Sequence, residues 1–120
     1  MAGEAIFIGW GQVVRGREQR ALEVFNESVQ YWGSLQQDGT IESLDVVLLT
    51  PHGGDLAGFA LLKGDPDKLA QLRSDDEFIR RNARANLIVE GLGIVDAVSG
   101  ERLGQQMGIY TKEADEVSQT

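Results

Sequence analysis

At 120 residues with 42% hydrophobic side chains, the chain is long enough for one domain with a real core, and no linker or repeat divides it. A formal net charge of −8, from 19 Asp and Glu against 11 Lys and Arg, excludes a sequence-independent phosphate binder, because counterion release needs a basic surface. The absence of cysteine excludes disulfides, thiolate catalysis and thiolate metal sites; no apolar run approaches the roughly 20 residues that cross a bilayer, and residues 1–5 lack the regions of a leader, so a cytoplasmic protein without nucleic-acid or membrane partners is expected.

Residues 5–14, AIFIGWGQVV, are rich in β-branched and aromatic side chains and predict the first strand. A helix is predicted over 17–37, where Leu22, Phe25, Val29 and Trp32 recur at helical spacing and Asp38-Gly39 supplies the stop. Two apolar runs follow, 41–50 and 56–63, around the breaker cluster Pro51-His52-Gly53-Gly54-Asp55, and read as a hairpin with a long loop.

The second helical region opens at Asp65-Pro66, a capping residue followed by proline at the first helical position. Ser74-Asp75-Asp76-Glu77 has the form of a capping box with Ser74 as the cap, which predicts a break and a new helix from Asp75. Phe78, Ile79, Ala83 and Leu87 are its expected buried stripe, and residues 87–98 the fourth strand. In the tail, Leu103, Met107, Tyr110, Ala114 and Val117 form an amphipathic pattern weakened by Gly104 and Gly108. Residues 1–98 are therefore expected to form an α+β unit and 99–120 a helical tail.

In Val46-Val47-Leu48-Leu49, Phe59-Ala60-Leu61-Leu62 and Leu87-Ile88-Val89 both strand parities are apolar, so both sheet faces should be covered. Two helices cover one face only. A second copy of the chain, the tail helix, or both must cover the other, and a symmetric homodimer is expected, with the tail docked on its own or its partner's surface.

The strand, helix, strand, strand, helix, strand order, the broken helix around Ser74–Phe78 and the glycine-bearing strand 87–98 together resemble the dimeric α+β barrel superfamily. That resemblance implies a ferredoxin-like βαββαβ sandwich paired sheet to sheet. The superfamily includes cofactor-independent monooxygenases of antibiotic biosynthesis, haem-degrading enzymes, small isomerases and ligand-sensing domains, so the fold alone does not select an activity. The helical histidine that ligates haem in the degrading enzymes has no counterpart in 78–87, and no cofactor is expected. Trp10, Asn86 and His52 match residue types found around the monooxygenase cavity. Residues 69–78 look like the corresponding helix of YCII-related proteins, whose His–Asp pair has no clear counterpart.

Gly9 and Gly11 share one face of strand one, and Gly91 and Gly93 one face of strand four. As neighbours in such a sheet they would leave a patch without side chains, either the floor of a pocket or a relief for twist and packing. If it faces the first helix, its walls would include Phe25, Val29 and Trp32, with Asn26, Asn82 and Asn86 as polar contacts, a setting for a small organic ligand. Trp10, Trp32 and Tyr31 offer either stacking surfaces or core, with Tyr31 expected to keep its hydroxyl near water.

His52 is either a general base that Asp55 is near enough in sequence to orient, or an exposed turn residue. A single histidine with scattered carboxylates has no metal-ligand spacing, so no metal is expected. Arg15, Arg17 and Arg20, and Arg80, Arg81 and Arg84, form clusters that either clamp a carboxylate or pair with surface acids. Three readings remain open: a dimeric small-molecule-binding protein, a cofactor-independent monooxygenase or isomerase for a planar substrate, and a structural or regulatory association module.

Overall fold

The computed structural model describes residues 4–118; the positions before and after them, read above for a leader and as the end of the tail, lie outside the described residues. The chain runs β1 (Glu4–Trp10), α1 (Glu18–Gln37), β2 (Ser43–Leu48), β3 (Gly58–Gly64), α2 (Pro66–Arg73), α3 (Asp76–Asn86), β4 (Gly93–Val98) and α4 (Gly100–Ser118). The strands form one antiparallel sheet in the order β2-β3-β1-β4. This is an α+β sandwich with α1, α2 and α3 on one face of the sheet.

Alternation along the strands decides what each face carries. Ile6 and Ile8 of β1 and Ala60 and Leu62 of β3 are buried with Trp32, Leu35, Leu69, Leu72 and Phe78 of the helices. The opposite parity, Phe7, Phe59, Leu61 and Val95, lies on the face without helices, where Phe7 and Phe59 stack with centroids 5.2 Å apart and Val95 is 53% exposed. Apolar residues of both parities are thus real, and one face of the single chain stays open.

On α1 the buried stripe is Ala21, Val24, Ser28, Trp32 and Leu35; it shares Trp32 with the predicted one and otherwise lies one residue before Leu22, Phe25 and Val29. Both sets satisfy three-and-four spacing, so periodicity alone did not separate them. Leu22 is 62% exposed because it stands at the rim of the cavity described below.

The break in the second helical region is present, with its caps shifted by one residue. Asp65 caps α2 by accepting from the Lys68 amide at 3.1 Å with Pro66 at the first helical turn, as its sequence predicts. Ser74 closes α2, and Asp75, not Ser74, caps α3, accepting from the Glu77 and Phe78 amides at 3.1 and 3.3 Å. With only two residues between the helices, the one nearer α3 reaches its free amides.

β1 and β4 are shorter than predicted. α3 continues to Asn86, and Leu87 is exposed at its end and contributes nothing to a strand. Val13 and Val89 still form an isolated bridge, but Gly91 adopts φ +65° and interrupts the ladder between that bridge and Gly9–Gly93. The left-handed backbone at Gly91 ends regular pairing there.

The tail departs most from expectation. α4 forms, yet carries no buried residue; Leu103, Met107 and Tyr110 are 44, 52 and 68% exposed. It is not docked on its own chain, because the helical face of the sheet is already occupied and α4 leaves from the edge strand. An Arg102–Glu4 ion pair of 3.5 Å ties its first turn to β1, and the molecule is elongated, 56 × 37 × 23 Å. Among the described residues no helix is long and apolar enough to cross a membrane.

Candidate functional site

A cavity of about 590 Å³ lies between the helical face of the sheet and the pair α1–α3. Ile8 and Trp10 of β1 form its floor, Phe25, Ser28 and Trp32 of α1 one wall, and Arg81, Asn82 and Ala85 of α3 the other. The helices are spaced so that small residues, Ala21 and Ala85, meet where larger ones would close the gap. Its volume lies within the roughly 300–1,000 Å³ that small-molecule sites occupy.

Aromatic rings dominate one side. Trp10 and Trp32 lie nearly parallel, 18° between planes with centroids 6.4 Å apart, and Phe25 meets Trp10 edge-on at 6.1 Å. Together they present flat, polarizable surface to whatever enters.

The polar groups gather on the helices. Ser28 is only 8% exposed, yet neither its hydroxyl nor the Asn82 amide has a hydrogen-bond partner among the described residues, and both line the cavity. Arg81 stands beside them, its Nε donating to Glu77 Oε2 at 2.7 Å and its guanidinium 5.2 Å from the centre of the Tyr31 ring. Hydrogen bonds from Arg81 and, less strongly, Arg80 hold the Glu77 carboxyl below the usual carboxylate range. Arg80 and Arg84 face outward, in ion pairs with Glu77 and Glu27. Arg20 pairs with Glu23 in the same way.

Tyr31 corrects an expectation: its hydroxyl is buried rather than near water and has no partner among the described residues. Burial, then the neighbouring Asp75 and Glu77 carboxylates, push its phenol up to about 12, with Arg81 opposing. An unfolded tyrosine ionises near about pH 10, so between those values the unfolded chain holds fewer protons and stability falls as pH rises. Tyr31→Phe is expected to abolish that fall and, by removing an orphaned buried hydroxyl, to raise stability by about 1 kcal/mol at neutral pH. Urea midpoints at neutral and alkaline pH check both; a less stable variant would show that the hydroxyl is satisfied.

Of the residues singled out from the sequence as site candidates, Trp10, Gly11, Phe25, Trp32, Arg81 and Asn82 line this cavity. The four glycines do not form one patch facing helix one; Gly11 alone lines the cavity. Gly9 lies on the open face, where a Cβ would come within 2.6 Å of Phe7 Cε1. Gly11 is required by close backbone approach, since a Cβ would lie 2.7 Å from the Glu90 carbonyl oxygen and 3.0 Å from that of Asp55. With Asp55 and Gly91 it also lines a neighbouring groove of about 440 Å³. Gly93, Asn26 and Asn86 are exposed.

His52 is occupied by its own loop. Nδ1 accepts from the Gly54 amide at 3.2 Å, so Nε2 carries the proton and donates to the Leu56 carbonyl at 3.0 Å. Asp55 makes no hydrogen bond to the ring, and His52 is not among the cavity's lining. No cluster of three metal-binding side chains occurs among the described residues. Ser28 was not placed in the site from the sequence, and Arg81 was read there only as one of a cluster that clamps a carboxylate or pairs with surface acids. The signal for Ser28 was a polar residue within the apolar stripe of α1, visible once the stripe is read as Ala21, Val24, Ser28, Trp32 and Leu35.

No family model and no curated protein matches the chain. Solved structures do. A dimeric ferredoxin-like protein of unknown function from Bacteroides fragilis aligns over 80% of this chain and 96% of its own, with 15% identity and a TM-score of 0.59. A dimeric ferredoxin-like protein of unknown function from a Jannaschia species covers 79% and 98% with 10% identity and a TM-score of 0.62. SnoaB, a cofactor-independent oxygenase from Streptomyces nogalater, covers 83% and 96% with 13% identity and a TM-score of 0.55. At these identities the likeness establishes a shared ferredoxin-like fold.

Proposed function

We propose that the protein binds a planar, mainly apolar organic molecule in the cavity between β1 and the α1–α3 pair. The observation that carries this reading is the aromatic wall of Trp10, Trp32 and Phe25 facing Ser28 and Asn82, whose side chains have no hydrogen-bond partner among the described residues. A mostly apolar concavity with a few convergent polar groups supplies both affinity and orientation. A structural module would have no use for such a volume, and filling it would stabilise the fold.

The neutral dye 1-anilinonaphthalene tests the site. Saturable fluorescence enhancement at one dye per chain is expected, and Ala85→Phe, which projects a ring into the cavity, is expected to weaken it at least tenfold. Unchanged affinity in that variant, or no saturable binding, rejects the reading.

The second reading, oxygenation of the bound molecule without a cofactor, is supported by the fold shared with the Streptomyces oxygenase. Here the chain would orient an electron-rich ring against the aromatic wall and exclude water while oxygen reacts with it. Oxygen uptake dependent on an electron-rich aromatic substrate would distinguish catalysis from binding.

The assembly proposed for this function is a homodimer. Phe7, Phe59, Leu61 and Val95 form an open apolar sheet face, and two structurally similar proteins are described as dimeric. α4, with its stripe uncovered by its own chain and rooted next to that sheet, would then pack on the partner.

A further inference from the structure

We infer that the cavity is built for a planar carboxylate, held at its helical end by Arg81, Asn82 and Ser28. This rests on the proposed binding function and names the chemistry of its ligand.

The three residues come together through the packing of α1 on α3. Ser28 lies on the buried stripe of α1 between Val24 and Trp32, and Asn82 lies between Phe78, in the main core, and Ala85, which packs on the separate cluster of Ala21, Val24 and Ile88. Arg81 is held in place on two sides, by Glu77 at its Nε and by the Tyr31 ring at its face. Those contacts leave the terminal guanidinium nitrogens without a hydrogen-bond partner among the described residues. Two parallel N–H donors on a fixed planar fork match the two oxygens of a carboxylate.

The neighbouring groups complete that match. Ser28 and Asn82 add neutral donors on the same lining, with no hydrogen-bond partner among the described residues, so a ligand's oxygens can accept from them without breaking a bond within the protein. Glu77 lines the outer groove and not the cavity, whereas Arg81 lines both: its Nε is taken by the Glu77 carboxylate on the groove side, and its terminal nitrogens are the donors left for an anion. Glu18 stands on the cavity's lining from the first turn of α1, more than two helical turns from Ser28, at the opposite end. The chain's net charge of −8 gives an anion no general attraction, so recognition must come from this local cation.

The test measures displacement of 1-anilinonaphthalene from the full-length protein by 2-naphthoate and by its neutral isostere 2-naphthamide. Wild-type protein is expected to prefer the carboxylate by about tenfold or more, the scale of a charge-assisted hydrogen bond in a shielded site. Arg81→Gln should bring the ratio near one, and Arg81→Lys, which keeps charge but not the fork, should fall between. Asn82→Ala should weaken both ligands.

If the dye binds and wild-type protein takes the two naphthalenes equally, the carboxylate assignment is wrong and the cavity reading stands. If neither dye nor naphthalenes bind, both fail. Because the wild-type ratio decides, loss of folding in an Arg81 variant does not remove the test.

Discussion

Trp32→Ala is expected to lower the unfolding free energy by about 3–5 kcal/mol, the range for truncating a large buried aromatic. Domains of this size hold about 5–15 kcal/mol in total, so the variant should be marginal at room temperature. The effect is large because Trp32 serves two structures at once. It is buried in the core with Ile8, Leu35 and Phe78, and it stacks on Trp10 along the cavity wall. Trp32→Phe keeps an aromatic face and should lose much less. Urea denaturation of the three proteins checks this, and a loss below about 1 kcal/mol for the alanine variant would mean that Trp10 and Phe25 close the gap by repacking.

Val95→Lys is expected to reduce the solution mass from that of two chains to that of one. Val95 sits on the open face, paired with Phe7, so a lysine there would place a charge in the middle of a sheet-to-sheet contact. An unpaired buried charge is among the strongest ways to break such a contact. In the isolated chain the same position is already 53% exposed, so the monomer's own fold should be preserved. Light scattering at micromolar concentration reads the mass, and circular dichroism the fold. Truncation after Gly100 separates the tail from the sheet: if α4 packs on the partner, the shortened chain should dimerise more weakly while its sheet stays intact. A wild-type mass of one chain would reject the dimer outright.

The second-half helices show how far local chemistry reached. Asp65-Pro66 marked the start of α2 because a cap and a proline act within one turn, and the structure uses both. The capping box at Ser74 was one residue off. Its pattern is local, whereas the choice between Ser74 and Asp75 depends on how α2 and α3 meet over the core. The same limit explains β4. Leu87-Ile88-Val89 reads as a strand by composition, but Leu87 ends α3 and Ile88 turns under Ala21 and Val24.

Strand and helix periods, the turn clusters and the two-sided apolar strands determined the element order, the sandwich and the need to cover a second sheet face. Each is a property of residues a few positions apart, where backbone geometry leaves few choices. Only the tertiary structure decided which stripe of α1 is buried, that Gly9 lies on the open face while Gly11 lines the cavity, that His52 is held by its own loop, and that α4 stays undocked within the chain. It alone brought Ser28 of α1 beside Arg81 and Asn82 of α3 in one cavity. More than fifty positions separate these side chains in the sequence. Their meeting depends on the spacing of packed helices over a twisted sheet, and no local pattern encodes that distance.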